Sequence, residues 1–261
     1  MSPKTQTAWD SNKVIRNASN SALYGSGVFT TVRIADGRPL LWDKHWARLV
    51  RDSAKIGIDL FGQTSDSLLD RLTETIAEDS ILGGRARITV FDESASDIWS
   101  GGAKTDSKVE IITAGARTVS SEFAVTLSPF SVNPLSPLAG IKSCNYLENI
   151  LTKKDAFKRG FDEAVRPNTE GIITSGTMSN VFWLKDGMLH TPPLSTGCLP
   201  GTTREYILEK IDCRESVIGV DELKTADALF LTSAGLGVVQ VIHFDDITYA
   251  TTSHPVLSAL K

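Results

Sequence analysis

Residues 175–205, SGTMSNVFWLKDGMLHTPPLSTGCLPGTTRE, decide the fold. Residues 181–185 are rich in apolar and β-favouring types, Asp186-Gly187 supplies a hairpin turn, and residues 188–190 return as a second strand. Pro200-Gly201 then opens a helix, so Gly201, Thr202 and Thr203 fall on its first turn. Free backbone N–H groups beside two hydroxyls make a phosphate cup. Plain helix capping by Thr202 or Thr203 explains the same residues. Leu199, just before the turn, is the apolar neighbour of that cup.

Outward from this stretch the chain reads as two α+β halves. Toward the N-terminus, strands are expected at 163–166 and 172–174, a helix at 145–159, and a strand at 123–128. Between them SPFSVNPLSPLAG holds three prolines and excludes regular structure. Toward the C-terminus a strand at 228–232 runs into Ser233-Ala234-Gly235, a second place where small residues and a hydroxyl allow a phosphate to approach. The first half opens with a strand at 23–34, turns at Asp36-Gly37 and returns at 39–42. Helices at 43–56 and 65–78 follow, then strands at 86–91 and 109–114 joined by a polar loop. Periodicity lapses between 114 and 123, which gives an N-terminal domain over 1–115, a linker over 116–122 and a C-terminal domain over 123–261.

Composition narrows the function classes. Hydrophobic residues at 41% and charged residues at 22% fit an ordinary globular protein, and the net charge of −4 offers nothing to a nucleic acid. Cys144, Cys198 and Cys213 show no CxxC spacing, and His45, His190, His243 and His254 are scattered, so neither a disulfide framework nor a metal site is expected. Residues 1–7 lack an apolar leader and no long apolar run occurs, so a cytoplasmic protein without a membrane segment is expected. Gly25-Ser26-Gly27 precedes a strand rather than a helix and fails as a dinucleotide motif.

Lys142 is the candidate nucleophile. It stands in SPLAGIKSCNYLENIL (residues 136–151), after Ala139, Gly140 and Ile141, where a Pro/Gly loop gives way to a helix. Apolar surroundings lower a lysine pKa, and an uncharged amine can attack a carbonyl to form a Schiff base. A solvated lysine at a helix end is the alternative, and on these residues alone it is the commoner case.

YGSGVFTTVRI (24–34), HWARL (45–49), GIKSCNYLENIL (140–151) and residues 175–205 together resemble, in order and spacing, the class IV aminotransferase family of fold-type IV pyridoxal-phosphate enzymes. The resemblance runs from about residue 22 to 241 and implies an α+β, two-domain enzyme with a smaller N-terminal and a larger C-terminal, cofactor-binding domain. It implies pyridoxal 5′-phosphate as cofactor, with Lys142 carrying it as a Schiff base and moving the substrate's proton. Arg48, Thr202, Thr203 and Gly201 would hold the phosphate, Tyr146 the phenolic oxygen, and Leu199 the ring face. Ala234 stands where relatives carry a phosphate-binding hydroxyl, which leaves that contact to Ser233. The family's dimers imply a homodimer, with Tyr24, Phe29, Thr31 and Arg33 of the first strand on the substrate side; a surface arginine explains Arg33 equally well.

One position departs from the family. Where relatives place a glutamate that keeps the pyridine nitrogen protonated, this chain has Ser175, and Glu170 belongs to the turn before that strand. A hydroxyl supplies no compensating charge, so electron withdrawal by the ring should be weaker. Transamination should suffer more from this than an elimination driven by aromatisation. The resemblance therefore implies a 4-amino-4-deoxychorismate lyase first, and a transaminase of the branched-chain or D-amino-acid type second. A non-catalytic relative is disfavoured by the retention of Lys142, Arg48 and Tyr146.

Overall fold

The computed structural model describes residues 18–60, 62–95, 106–116, 118 and 120–260. The leader reading of residues 1–7, most of the polar loop after residue 92, and positions 117 and 119 of the expected linker lie outside the described residues.

The first sheet has the order β2-β1-β3-β4, from strands β1 (Gly27–Ala35), β2 (Arg38–Pro39), β3 (Gly84–Asp92) and β4 (Ser107–Gly115), all antiparallel. Ahead of it runs α1 (Asn20–Tyr24), and α2 (Trp42–Lys55) and α3 (Ser65–Glu78) pack behind it. Period-two alternation divides β1 cleanly. Val28, Val32 and Ile34 point into a core with Ala86, Ile88 and Val90 of β3 and Leu49, Leu68, Leu72 and Ile76 of the helices. Phe29, Thr31 and Arg33 share the opposite face, across from Thr89, Arg87 and Arg85. Thr64 caps α3 in a reciprocal box with Ser67, which fixes where that helix begins.

Two segments differ from the sequence expectation. Leu23 and Tyr24 belong to α1 and not to the strand, because Ser19 accepts a bond from the Ala22 N–H and Gly25, at φ 63°, ends the turn. The return strand is only two residues long, since Trp42 is already helical.

Two five-stranded sheets build the rest. One has the order β14-β13-β5-β6-β7, from β5 (Ala124–Leu127), β6 (Glu163–Pro167), β7 (Ile173–Gly176), β13 (His243–Phe244) and β14 (Ile247–Thr248). The other has the order β10-β9-β8-β11-β12, from β8 (Asn180–Lys185), β9 (Met188–Thr191), β10 (Cys213–Glu215), β11 (Ala228–Ser233) and β12 (Gly237–Val241). Between them lies a core of Val125, Val165, Ile173, Val181, Trp183, Leu229, Leu231 and Phe244. Phe182, Ala228 and Phe230, on the other face of β8 and β11, pack with Ile207 of α5 (Thr202–Lys210). Burial on both faces explains why residues 181–184 read as an unbroken apolar run; each such side chain contributes about 1.5–3 kcal/mol. Helix α4 (Leu147–Lys158) follows the lysine loop, and α6 (Val220–Lys224) precedes β11. Strands β10, β12, β13 and β14 were not expected; each is short or lacks strict alternation. No described helix is long and apolar enough to cross a membrane.

Candidate active site

A cavity of about 640 Å³ opens where the first sheet meets the two others, inside the usual range of ~300–1,000 Å³ for small-molecule sites. It gathers Arg48, Lys142, Tyr146, Ser175, Leu199, Gly201, Thr202, Thr203 and Ser233, together with Phe29 and Thr31. Tyr24, on α1, and Arg33, farther along β1, are not among the lining residues.

Lys142 is held from its backbone outward. Its carbonyl accepts the Phe29 N–H at 2.9 Å, the Cys144 N–H donates to Gly27, and its own N–H donates to Asp52 Oδ2 at 2.9 Å. The loop is thus an extra strand-like edge on β1, tied to α2. The side chain is 8% exposed, and its amine lies 3.3 Å from the Tyr146 hydroxyl, 4.4 Å from the Phe29 ring centre and 4.7 Å from that of Tyr146. Burial first, then the guanidiniums of Arg48 and Arg87, pulls the lysine down to about 7, with Asp52 opposing. The amine is therefore substantially uncharged near neutrality. Burial and the negative charge of Glu163 push the Tyr146 phenol up to about 12, so it keeps its proton.

At the far end of the cavity, α2 presents His45 and Arg48 toward the start of α5. Arg48 can only donate, and its Nη2 gives a bond to Thr30 Oγ1 at 2.5 Å. Thr30 Oγ1 also shares a hydrogen bond with His45 Nδ1 at 2.6 Å, and the opposite ring nitrogen meets Thr202 Oγ1 at 3.3 Å. Burial, Arg48 and Lys142 hold His45 far below its ordinary pKa, so the ring stays neutral and can serve this chain of bonds. Arg48 falls only to about 10, mainly through burial, and remains a cation. Gly201 precedes α5 and must be glycine, because a Cβ there would stand 2.1 Å from Asn180 Oδ1. Asn180 also donates to the Leu199 carbonyl at 2.8 Å, which fixes the turn.

Residues 27–244 match the family described as Amino-transferase class IV. The chain belongs to that family. Its cofactor is pyridoxal 5′-phosphate. The chain is 26% identical to the aminodeoxychorismate lyase of Bacillus subtilis over 97% of its own length and 89% of the lyase. It is 30% identical to the D-alanine aminotransferase of Bacillus licheniformis, over 86% of this chain and 81% of that one. A hypothetical aminotransferase from Mycobacterium tuberculosis in its pyridoxal-phosphate-bound form shares the fold at a TM-score of 0.79 and 19% identity, covering 97% of this chain and 93% of that one. The fold is accordingly fold-type IV, with mixed α and β structure.

The residues present fit the cofactor. Arg48 Nε and Thr203 Oγ1 are buried without a hydrogen-bond partner in the protein, and both line the cavity beside the free N–H groups of α5. Unpaired buried polar atoms are costly, and a phosphate would satisfy them together. Sequence reasoning missed several lining residues, namely Arg85 and Arg87 of β3, Glu163 and Arg166 of β6, and Lys153 of α4. RARITVF shows which residues share a face of the strand, but nothing in it says that the charged face meets a cavity.

Proposed function

We propose that this enzyme cleaves 4-amino-4-deoxychorismate to 4-aminobenzoate and pyruvate, a step toward folate. The observation that carries the proposal is the cationic face of β3. Arg87 lies with its guanidinium 3.6 Å from the Phe29 ring centre, donates to Thr89, and has no carboxylate partner among the described residues. Arg85, two residues away on the same face, stands directly across from Arg33. Arg85 donates to the Gly115 carbonyl at 2.9 Å and lines the cavity beside Arg87. A rigid ring bearing two carboxylates fits such a face better than a small aliphatic amino acid.

Bound pyridoxal phosphate supplies a carbonyl that takes the substrate's amine and a conjugated ring that accepts the electron pair left by a departing proton. Arg48, Gly201, Thr202, Thr203 and Ser233 hold the phosphate end. Leu199 would cover one face of the ring and Tyr146 would donate to its phenolic oxygen. Lys142, substantially uncharged near neutrality, would anchor the cofactor through its amine and act as the base that takes the substrate's proton. Phe29 and Thr31 line the substrate side, and Arg87 holds a substrate carboxylate. Ser175, which also lines the cavity, would stand at the ring-nitrogen end without a charge of its own.

Chorismate, glutamine and the amination partner enzyme, incubated with the purified protein, should yield 4-aminobenzoate and pyruvate in equal amounts. Failure to form either, with rapid amino transfer from D- or L-amino acids instead, establishes the second candidate, a transaminase, which the 30% identity to D-alanine aminotransferase favours. We further propose that the enzyme acts as a cytoplasmic homodimer. Leu147 and Leu151, one turn apart on α4, remain 67% and 52% exposed and give a partner subunit an apolar surface to cover. A monomeric mass in analytical ultracentrifugation of the holoenzyme overturns that assignment.

A further inference from the structure

Glu163 is fully buried at the start of β6, lines the same cavity as Ser175, and is the one acid on that wall whose position is unexplained by the reaction above. Strands β6 and β7 pair antiparallel, with Arg166 opposite Ser175 and Val165 opposite Gly176. Continuing that register carries Glu163 past the end of β7, to the turn at Thr177. One carboxylate oxygen is taken up there. Glu163 Oε1 accepts the Thr177 N–H at 2.8 Å and also the Thr177 hydroxyl, so the head group is clamped in one orientation. The other oxygen, Oε2, is buried with no hydrogen-bond partner; Lys153 Nζ, 3.5 Å away, neutralises charge without satisfying it.

A buried carboxylate oxygen left without a donor is costly, on the order of 1–3 kcal/mol or more. The cost is met if a donor arrives with the ligand. The cavity's phosphate end lies at Arg48 and α5, and its reactive end at Lys142 and Tyr146. In that orientation the ring edge remote from both ends would face the β6–β7 wall, where Glu163, Ser175 and Thr177 line the cavity. Glu163 and Tyr146 line the same cavity.

We propose that Glu163 supplies the acid for the cofactor's ring nitrogen, Oε2 accepting a hydrogen bond from the protonated nitrogen, so that the carboxylate missing from β7 at Ser175 is provided by the neighbouring strand. The inference rests on the cofactor orientation proposed above. The only bonds that change are those of one proton: the ring nitrogen would gain an N–H bond as a solvent hydronium loses its O–H bond to become water, and the carboxylate would hold that proton on the nitrogen. Glu163 thereby restores electron withdrawal that Ser175 cannot provide, and serves elimination and transamination alike. Lys153 tempers the carboxylate, so the restored pull is smaller than that of an unpaired glutamate.

The test uses holoenzyme loaded with cofactor labelled with 15N at the ring nitrogen. Borohydride reduction and peptide mapping come first; absence of the reduced cofactor on Lys142 overturns the orientation and this inference together. With Lys142 labelled, the nitrogen resonance of the unsubstituted enzyme should sit at the protonated position. Glu163→Gln should move it to the neutral position and lower turnover by about 10²-fold. Ser175→Ala should leave it protonated. The double variant Glu163→Gln/Ser175→Glu should bring the protonated signal back, and it restores an acid on this wall should Glu163→Gln alone fold poorly. A neutral nitrogen in the unsubstituted enzyme, an unmoved signal in Glu163→Gln, or loss of the protonated signal in Ser175→Ala each overturns the proposal while leaving the Lys142 assignment intact.

Discussion

The two walls of the cavity bind anions by opposite means. The wall from β1 and β3 uses large, charged side chains, Arg87 stacked on Phe29 with Arg85 beside it, mounted on a sheet whose other face is core. The wall from β8 and α5 offers short side chains and backbone: Gly201, the hydroxyls of Thr202 and Thr203, and the free N–H groups of a helix start, pinned by Asn180 and backed by Arg48 of α2. A guanidinium on a long stem can follow substrates of different shape. A backbone cup cannot move, and suits a phosphate that is the same in every turnover. Under the proposed function, the difference assigns substrate selection to the first wall and cofactor retention to the second.

The heaviest blow to both walls is Lys142→Ala, since the lysine loop is the piece that joins them through β1 and α2. Turnover should fall by about 10⁴-fold or more, and the absorbance of the cofactor–lysine adduct should vanish. Retained absorbance would mean another amine carries the cofactor. Arg87→Ala should separate the walls. A drop in kcat/KM near 10²-fold, mainly in KM, is expected for a lost charge-assisted bond of about 1.5–3 kcal/mol, with cofactor affinity unchanged by equilibrium dialysis. Equal loss of cofactor affinity would collapse the distinction.

The junction can also be titrated. Because Lys142 is depressed to about 7, its amine is charged below that value and free above it. Attachment of cofactor to apoenzyme should rise with pH, level off above about 7, and slow about tenfold for each unit below. A rate still climbing at about pH 9 would place the lysine in solvent. The smallest expected effect is on the cup itself. Gly201→Ala sets a methyl group against Asn180 Oδ1, and should lower stability by about 1–3 kcal/mol and weaken cofactor retention while leaving KM for substrate nearly unchanged in the loaded enzyme. Thermal melts with and without cofactor read both consequences.

These walls were unequally legible in the sequence. The cup was readable because Pro200-Gly201-Thr202-Thr203 carries its own local signal, a helix start with hydroxyls, and the structure puts Gly201, Thr202 and Thr203 in the cavity. Lys142 was readable only through its neighbours Arg48 and Tyr146, which chain distance hides and the resemblance supplied. Arg85 and Arg87 were not readable. Alternation in GRARITVFD separates two faces but cannot tell solvent from an adjoining layer, so a charged face reads as a wet one. Glu163 escaped for a related reason: a glutamate at the edge of EAVRP looks like a strand-end charge, and its burial depends on the turn at Thr177 and on Lys153 from α4. Among the elements, α2 and α3 followed their apolar stripes, whereas β13 is only two residues long and forms by pairing with β5, distant in the chain.

The cavity draws its lining from residue 29 to residue 236, which sets an order of events during synthesis. The arginine wall and the lysine loop leave the ribosome well before α5, so a nascent chain holds the reactive amine before it holds the cup that retains the cofactor. Stable loading must wait for the last third of the chain, and ribosome-bound fragments ending before Thr202 should release pyridoxal phosphate on washing where the finished protein keeps it.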